Sequence, residues 1–343
     1  MLLEHRKGIS MEDKIRELLS YYFKDYSHCK VEPVPFGLTN LTQLIEVNDV
    51  KYIARIYNRY TKNKESLELE ARVTSYLNHA NLSFQVPAFL STNKGDEYVQ
   101  LPDGTLGAMV SFIEGSVPPL SEERHAAEFG RVVGEISAVL STVATEKLAY
   151  KGQPFSRFYS LHPLADWDRI QSFFEQPPFP IDDADLAFYT EMVVSVQSSP
   201  SILNELPSQL VHHDLLIFNL LAKDHSICGV LDFDFIAMDV RCMELAICLN
   251  HVLQESDGSW RLLEAFVKSY SIFCRSSSQE IAQLRYMTRI YHIAVLHIYI
   301  GQHYAGSNVE PNFTYMMRQF RDRDRWLGEN DQSFKTLLET YLL

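Results

Sequence analysis

A short β-type segment, residues 209–235, interrupts a C-terminal half that otherwise has helical periodicity. The segment predicts a strand, then a polar loop, then a β-hairpin whose turn is Lys223–His225. Because a hairpin returns the chain to the level at which it began, Asp232 after the second strand is predicted to emerge near Asn219 before the first. The sequence therefore predicts one polar site held by a small β structure.

The side chains of this segment suit phosphoryl transfer. Such transfer needs in-line positioning, neutralisation of phosphate charge by Mg²⁺ and a carboxylate near the attacking hydroxyl. Asp214 is the predicted catalytic base, or the group that orients the hydroxyl, and His212 is a second catalytic candidate. Asn219 and Asp232 are predicted metal ligands because Mg²⁺ prefers hard oxygen donors. Asp234 joins the metal site if the chain turns there, and faces the opposite side if the strand continues.

The N-terminal third is predicted to form a small antiparallel sheet with one main helix packed on it. Its strand candidates are Val31–Phe36, Leu41–Val47, Tyr52–Tyr57, Tyr98–Leu101 and Leu106–Ile113, and its helices are Met11–Phe23 and Lys62–Asn78. The turn Asn48-Asp49 between the second and third runs predicts a hairpin. Residues 114–119 contain Gly and two Pro and predict a linker. We therefore predict one domain over residues 1–113 and a second over residues 114–343.

After this linker the chain is mostly helical. The predicted helices are Glu122–Val143, Asp182–Val196, Cys242–Gln254, Trp260–Phe273, Gln279–His303 and Phe313–Leu327. The stretch Tyr150–Pro180, rich in Pro and aromatic residues, is predicted to be irregular. The predicted fold class is α+β, with a small antiparallel β N-lobe and a larger helical C-lobe that carries the β insert.

The N-terminal sheet offers candidate phosphate contacts. In the segment Phe36–Thr42, which links two strand candidates, Gly37 and the hydroxyls of Thr39 and Thr42 are predicted to lie over a phosphate, with an ordinary hairpin turn as the alternative. Asn40 of the same segment is a further candidate for the cofactor site. The strand that follows carries a cation at its centre, Arg55, which is predicted to contact the α- and β-phosphates.

The helix after that strand supplies an acid for Arg55. Glu70 is predicted to pair with the guanidinium and to fix its position. Glu68, two residues earlier on the same helix, is the rival candidate. The simpler alternative is that these are surface charges on a strand and a helix.

Composition limits the classes of partner. The formal net charge of −13 disfavours nucleic acid and anionic membranes as default partners. The five cysteines are scattered, with no C-x-x-C spacing, which fits reduced thiols in a cytoplasmic protein. The first residues have no apolar core of a signal peptide, and both Met1 and Met11 are possible starts.

The pattern of Asp214, Asn219 and Asp232 resembles that of the aminoglycoside phosphotransferase and choline kinase-like superfamily. Within it, Leu231–Asn250 looks most like the bacterial type II homoserine kinases. The resemblance covers roughly residues 30 to 320. It implies a bilobal fold like that of protein kinases, with ATP and Mg²⁺ as cofactors.

A second segment, Met109–Gly115, resembles the inter-lobe segment of these enzymes, whose backbone contacts adenine. The resemblance therefore implies that Ser111 and Ile113 belong to the nucleotide site. Three positions depart from the family's pattern. His213 replaces the usual Gly, Arg55 stands where many relatives have Lys, and Glu244 stands where relatives usually have an Asp that braces the catalytic loop.

The predicted function is ATP- and Mg²⁺-dependent phosphorylation of a small-molecule alcohol, with homoserine or a related amino alcohol favoured. Aminoglycosides, choline-like alcohols and sugars as substrates, a nucleotide-binding pseudokinase and a metal-only hydrolase remain as alternatives. The candidates for a substrate pocket share the helix after residue 279; they are Tyr286, Arg289, His292 and Tyr299. The sequence leaves the oligomeric state open.

Overall fold

The computed structural model describes residues 11–34, 40–198 and 200–343. Contacts within the chain divide it into two units. Unit 1 comprises Met1–Ser75 and Pro87–Ile113, and unit 2 comprises Tyr76–Val86 and Glu114–Leu343. The division into domains 1–113 and 114–343 is kept as a proposal, and Tyr76–Val86 is the segment that it assigns differently.

The sheet of unit 1 has five strands: β1 (Lys30–Pro33), β2 (Leu41–Val47), β3 (Val50–Ile56), β4 (Val99–Gln100) and β5 (Leu106–Ser111). They pair antiparallel in the order β1-β2-β3-β5-β4. Asn48 and Asp49 have φ angles of 52° and 62°, the left-handed pair that a two-residue type I′ turn needs. The predicted strands and the predicted hairpin are confirmed, with small differences at the strand ends, except that Pro35 and Phe36 of the first predicted strand lie outside the described residues.

Two helices accompany this sheet, α1 (Met11–Tyr22) and α2 (Lys64–His79), the latter belonging to unit 1 as far as Ser75. The helix α1 buries Ile15, Leu18 and Leu19 in one cluster with residues of β2, β3 and β5. Leu67 of α2 joins a second buried cluster. Apolar side chains three and four residues apart give each helix one face toward the sheet.

Unit 2 is mainly helical. Its α-helices are α3 (Glu123–Leu140), α4 (Trp167–Glu175), α5 (Asp183–Gln197), α6 (Cys242–Glu255), α7 (Trp260–Tyr270), α8 (Ser278–Ala282), α9 (Leu284–Tyr304), α10 (Glu310–Glu329) and α11 (Asp331–Leu342). Short 3₁₀ turns occur at Thr145–Lys147, Phe155–Arg157, Pro200–Glu205 and Ile217–Asn219. Helices α3 and α7 pack closely at Gly130, where a Cβ would lie 2.1 Å from the carbonyl oxygen of Phe266. Only glycine allows that approach.

The helix predictions were wrong in three places. The stretch Tyr150–Pro180, predicted to be irregular, contains α4, which Asp166 caps by accepting a 3.0 Å hydrogen bond from the backbone N–H of Arg169. The predicted helix Gln279–His303 is interrupted at Gln283, whose φ and ψ of −100° and 0° end α8 and begin α9. The helix α11 was not predicted at all.

Two small sheets lie within unit 2. Strand β6 (Ser208–Val211) pairs antiparallel with β9 (Ala237–Val240), and β7 (Leu220–Lys223) pairs antiparallel with β8 (Ser226–Val230). The hairpin turn at Asp224 and His225 again has two positive φ angles, 51° and 70°. The predicted strand, loop and hairpin are confirmed, whereas β9 was not predicted. No helix in the described parts of the chain is both long and apolar enough to cross a membrane.

Candidate active site

The loop between β6 and β7 holds the carboxylate of Asp214 by short local bonds. The side-chain amide of Asn219 donates to Asp214 Oδ2 at 2.7 Å and to its backbone carbonyl at 2.9 Å. The backbone N–H of Asp214 donates to Nδ1 of His212 at 3.2 Å. Asp214 is nevertheless only partly buried, so its carboxylate is fixed in orientation and still accessible.

His212 is enclosed by this loop and has no exposed surface. Because its Nδ1 accepts from Asp214, the proton of the neutral ring lies on Nε2, which donates to the carbonyl oxygen of Leu231 at 3.1 Å. Burial lowers the pKa of His212 to about 3, so the ring stays neutral at ordinary pH. Phe233 packs against it with ring centroids 4.5 Å apart. His212 therefore connects the Asp214 loop to the end of the hairpin.

Asp232 and Asp234 follow that hairpin. The backbone N–H of Leu231 donates to the carbonyl of Asn219 at 2.8 Å, which brings the two ends of the hairpin together as predicted. Asp232 has a φ of 61°, and the N–H of Ile236 donates to the carbonyl of Phe233 at 3.2 Å. The chain thus turns instead of continuing as a strand, which is the condition under which Asp234 was predicted to join Asp232.

The three carboxylates influence one another electrostatically. Burial is the largest cause that raises the pKa of Asp214 well above its ordinary value, and the charge of Asp232 is the next. The charge of Asp234 acts in the same direction, whereas the Asn219 amide opposes it. Like charges held close together favour protonation or a bound cation. Within the described ranges, however, no group of three or more His, Cys, Asp or Glu side chains is arranged to hold a metal ion.

Three side chains on one face of helix α6 form hydrogen bonds with the backbone of the Asp214 loop. Oε2 of Glu244 accepts a 2.6 Å hydrogen bond from the backbone N–H of His212. The thiol of Cys248 donates to the carbonyl of Leu215, and Nε2 of His251 accepts from the N–H of Ile217 at 3.0 Å. His251 was missed in the sequence, although the spacing 244, 248 and 251 marks a single helical face.

His213 has a φ of 67°, in the left-handed region that glycine adopts without strain. Its side chain is 1% exposed. Nε2 lies 2.9 Å from Oδ2 of Asp239, and Nδ1 lies 3.0 Å from the carbonyl oxygen of Phe235. The ring stacks on Phe155 with centroids 4.4 Å apart. The loop therefore accommodates a side chain where the family pattern has none.

In unit 1 the acid that pairs with Arg55 is Glu70, at 2.7 Å between Nη1 and Oε1. Glu70 is 2% exposed and also forms an ion pair with Lys62. Glu68 is exposed and accepts a hydrogen bond from the hydroxyl of Tyr98 instead. Glu70 lies on the same face of α2 as Leu67, Ala71 and Thr74, and this pattern in the sequence indicated that Glu70 would be the buried partner. No pattern in the sequence indicated that Lys62 would join the pair.

The other predicted nucleotide contacts are less well defined. Gly37 and Thr39 lie outside the described residues. Oδ1 of Asn40 accepts a hydrogen bond from the backbone N–H of Asn58 at 3.0 Å. Ser111 accepts from the N–H of Ala88 through Oγ and donates its own N–H to the carbonyl of Ala88. Ile113, at the end of unit 1, is 6% exposed.

Three of the four pocket candidates in α9 make contacts within that helix or with neighbouring helices. Tyr286 donates to the carbonyl of Val196 at 2.8 Å, and Nε of Arg289 contacts Asp324 at 2.8 Å. His292 bonds to the carbonyl of Thr288 and stacks on Phe320.

The fourth candidate, Tyr299, differs from these three. Burial raises its pKa, a hydrogen bond from Asn312 opposes that rise, and the charge of Asp214 adds to it. Tyr291, which the sequence reading missed, also has a pKa raised by burial and then by the charge of Asp214. The charge of the Asp214 carboxylate thus influences the pKa values of both of these tyrosines of α9.

A sequence model of the phosphotransferase enzyme family (APH) matches residues 30–281. The chain belongs to that family. It is therefore a small-molecule phosphotransferase, and the predicted superfamily is confirmed. A homoserine kinase of Rhizobium meliloti (strain 1021) is 25% identical over 288 residues, which are 82% of this chain and 81% of that one.

Solved structures of other kinases share the fold of this phosphotransferase. A microcompartment-associated aminopropanol kinase superposes with a TM-score of 0.66 at 14% identity, covering 93% of this chain and 97% of the other. An amicoumacin kinase gives the same TM-score and identity over 91% and 92%. At such identities the likeness establishes the fold alone. The predicted α+β, kinase-like fold is confirmed.

Proposed function

We propose that this phosphotransferase transfers the γ-phosphoryl group of ATP to a hydroxyl of a small amino alcohol, with homoserine as the favoured substrate. One observation carries the proposal. The Asp214 carboxylate is oriented by the Asn219 amide at 2.7 Å, remains accessible and lies beside two further acids. A general base that is fixed but only partly buried, next to oxygen donors for a cation, is the arrangement that phosphoryl transfer requires.

Asp214 accepts the hydrogen bond of the substrate hydroxyl and aims its oxygen at the γ-phosphorus. The bond from this oxygen to phosphorus forms as the bond from phosphorus to the β,γ-bridging oxygen breaks, and Asp214 takes the hydroxyl proton. The raised pKa of its carboxyl favours acceptance of that proton. His212, which is buried and neutral, acts as a positioning residue that holds the loop and does not touch the substrate.

The donor set near Asp214 fits Mg²⁺. Asn219 offers a carbonyl oxygen, and Asp232 and Asp234 offer carboxylate oxygens. Proteins commonly hold Mg²⁺ through one or two carboxylates, with phosphate oxygens and water completing the octahedron. A bound cation would also offset the repulsion that raises the pKa of Asp214. When bound, Mg²⁺ would supply charge neutralisation at the phosphate oxygens.

In unit 1, Arg55 is proposed to bind phosphate oxygens, with Glu70 fixing its guanidinium. Lys62 shares Glu70 and adds a second positive charge to this cluster. We retain Ser111 and Ile113 as adenine contacts, and Gly37, Thr39 and Asn40 as contacts to phosphate. These roles are carried by the family's pattern and by the local contacts of Arg55.

The substrate class is supported by the relatives. The homoserine kinase named above and several other curated relatives at 24–26% identity are homoserine kinases. The aminopropanol kinase is likewise named for a compound with an amine and a hydroxyl. Antibiotic kinases among the structural neighbours make an aminoglycoside-type alcohol the second candidate.

The test is an ADP-release assay with Mg-ATP over homoserine, aminopropanol, ethanolamine, choline and aminoglycosides. We expect turnover to be fastest with homoserine, and Asp214→Asn to lower it by about 10²–10⁴-fold while calorimetry gives an unchanged ATP affinity. ATP binding without turnover on any alcohol would indicate a pseudokinase. Activity of the variant equal to that of the parent would remove Asp214 from its proposed role.

A further inference from the structure

His213 occupies a backbone conformation that costs energy. With a φ of 67° it lies in the left-handed region, where a Cβ crowds the following carbonyl and where glycine is the default residue. Histidine is tolerated there better than most residues, but still at a cost. Strain of this kind persists only where surrounding contacts hold the residue in place. The contacts of the His213 side chain therefore hold this strained backbone and indicate its role.

Both ring nitrogens of His213 face acceptors. The carbonyl oxygen of Phe235 can only accept, so Nδ1 carries a proton and donates to it at 3.0 Å. Oδ2 of Asp239, at 2.9 Å from Nε2, also accepts from the backbone N–H of Phe155 at 2.9 Å. Oδ1 of Asp239 accepts from the N–H of Val240. A carboxylate that already accepts two backbone N–H groups takes a third hydrogen bond from Nε2 of His213 when both ring nitrogens carry a proton.

These bonds join two segments that are far apart along the chain. His213 is adjacent to Asp214, whereas Phe235 and Asp239 lie on either side of the step from the turn at Phe233–Ile236 into β9. Asp239 lies in β9, which pairs with β6, the strand that leads into the Asp214 loop. The His213 ring thus closes a bridge between the loop that carries Asp214 and the turn that carries Asp234.

We propose that His213 is a positioning residue that fastens the Asp232–Ile236 turn and β9 to the Asp214 loop through its side-chain hydrogen bonds to Phe235 and Asp239. Its function is to hold the carboxylates of Asp232 and Asp234 in register with that of Asp214. A glycine at this position would relieve the backbone strain and lose the bridge. The catalytic consequence rests on the proposed function, whereas the mechanical bridge does not.

The mechanical part is tested without nucleotide by hydrogen–deuterium exchange at pH 7. In His213→Gly we expect the amides of residues 233–238 to exchange at least about five-fold faster than in the parent, because the hydrogen bond to Phe235 within this segment and the one to the neighbouring Asp239 are both lost. His297→Asn is the matched control, since His297 is a buried histidine bonded to Tyr189 and to the carbonyl of Phe158. It should leave exchange in residues 233–238 unchanged. Equal exchange in the parent and in His213→Gly would overturn the proposal.

A kinetic measurement then separates the catalytic consequence from the mechanical bridge. In His213→Gly the Mg²⁺ concentration for half-maximal activity should rise about ten-fold at saturating ATP, and kcat should fall. His213→Asn, which tolerates the left-handed backbone and keeps one donor, should recover part of both losses. Faster exchange with no change in Mg²⁺ requirement would overturn the positioning of the acids while leaving the bridge. A parent without any turnover would count against the proposed function alone, because the exchange result stands without it.

Discussion

The side-chain amide of Asn219 donates to Oδ2 of Asp214, five positions earlier in the chain, at 2.7 Å. Asn219 also donates to the backbone carbonyl of Asp214, so one amide restrains both the side chain and the main chain of the proposed base. The amide nitrogen is thereby occupied, and the carbonyl oxygen Oδ1 is the atom left to face a cation. One residue thus serves both the base and the proposed metal site.

Asn219→Ala should lower kcat about 10- to 100-fold and raise the Mg²⁺ concentration for half-maximal activity, because it removes the restraint on Asp214 and one oxygen donor. Steady-state kinetics over a Mg²⁺ titration measure both quantities. The control is Asn250→Ala in α6, which loses a buried amide bonded to Thr288 and should lower stability alone. A Mg²⁺ requirement equal to that of the parent would exclude Asn219 as a ligand.

Glu70→Gln should destabilise the protein by about 3 kcal/mol, because it leaves the buried cations Arg55 and Lys62 without their shared carboxylate. Urea denaturation measures the loss. Glu68→Gln is the matched control on the same helix. Glu68 is exposed, so its removal should change the free energy of unfolding by less than about 0.5 kcal/mol. Similar losses in the two variants would contradict the central role given to Glu70.

Stability should fall as the pH rises through the range in which Glu244 titrates. Burial raises the pKa of Glu244 to about 7 from an ordinary 4.5, so between these values the folded protein holds a proton that the unfolded chain has released. The free energy of unfolding therefore decreases with pH in this window, on the order of 3 kcal/mol in all from this group. Asp214, whose pKa is also raised, contributes with the same sign.

The variant Glu244→Gln isolates the contribution of that carboxyl. Urea midpoints at pH 5 and pH 7.5 should differ less in the variant than in the parent, because the titrating group is gone while an oxygen remains to accept from His212. The comparison is one of slopes, so a uniform loss of stability in the variant does not affect it. Parallel pH dependences would show that Glu244 titrates at its ordinary pKa.

Tyr299→Phe should raise the KM for the hydroxyl substrate roughly five- to ten-fold and leave the KM for ATP unchanged, since it removes a hydroxyl that the charge of Asp214 influences. Initial-rate kinetics with each substrate varied in turn separate the two constants. Tyr286→Phe removes a hydroxyl from the same helix, one that donates to Val196, and should lower the melting temperature alone. Equal KM values in all three proteins would exclude Tyr299 from the substrate site.

The sequence by itself determined the reaction class and the local frame of the site. The loop from Asp214 to Asn219 and the hairpin that returns to Asp232 are short, so their geometry follows from turn residues and strand patterning within some twenty positions. The fold class followed in the same way, because period-2 and period-3.6 patterns identify strands and helices wherever they are long enough. The helix α4 was not predicted because it is short and lies among Pro and aromatic residues.

Only the tertiary structure decided which distant side chains complete the site. Glu68 and Glu70 are both acids on one helix, and burial against the sheet selected Glu70 for Arg55. In the sequence, His213 is only a departure from the glycine of the family's pattern. In the folded chain, Phe235 and Asp239 lie against its two ring nitrogens. Such contacts join residues many positions apart. They depend on how helices and strands pack, which local chain geometry does not encode.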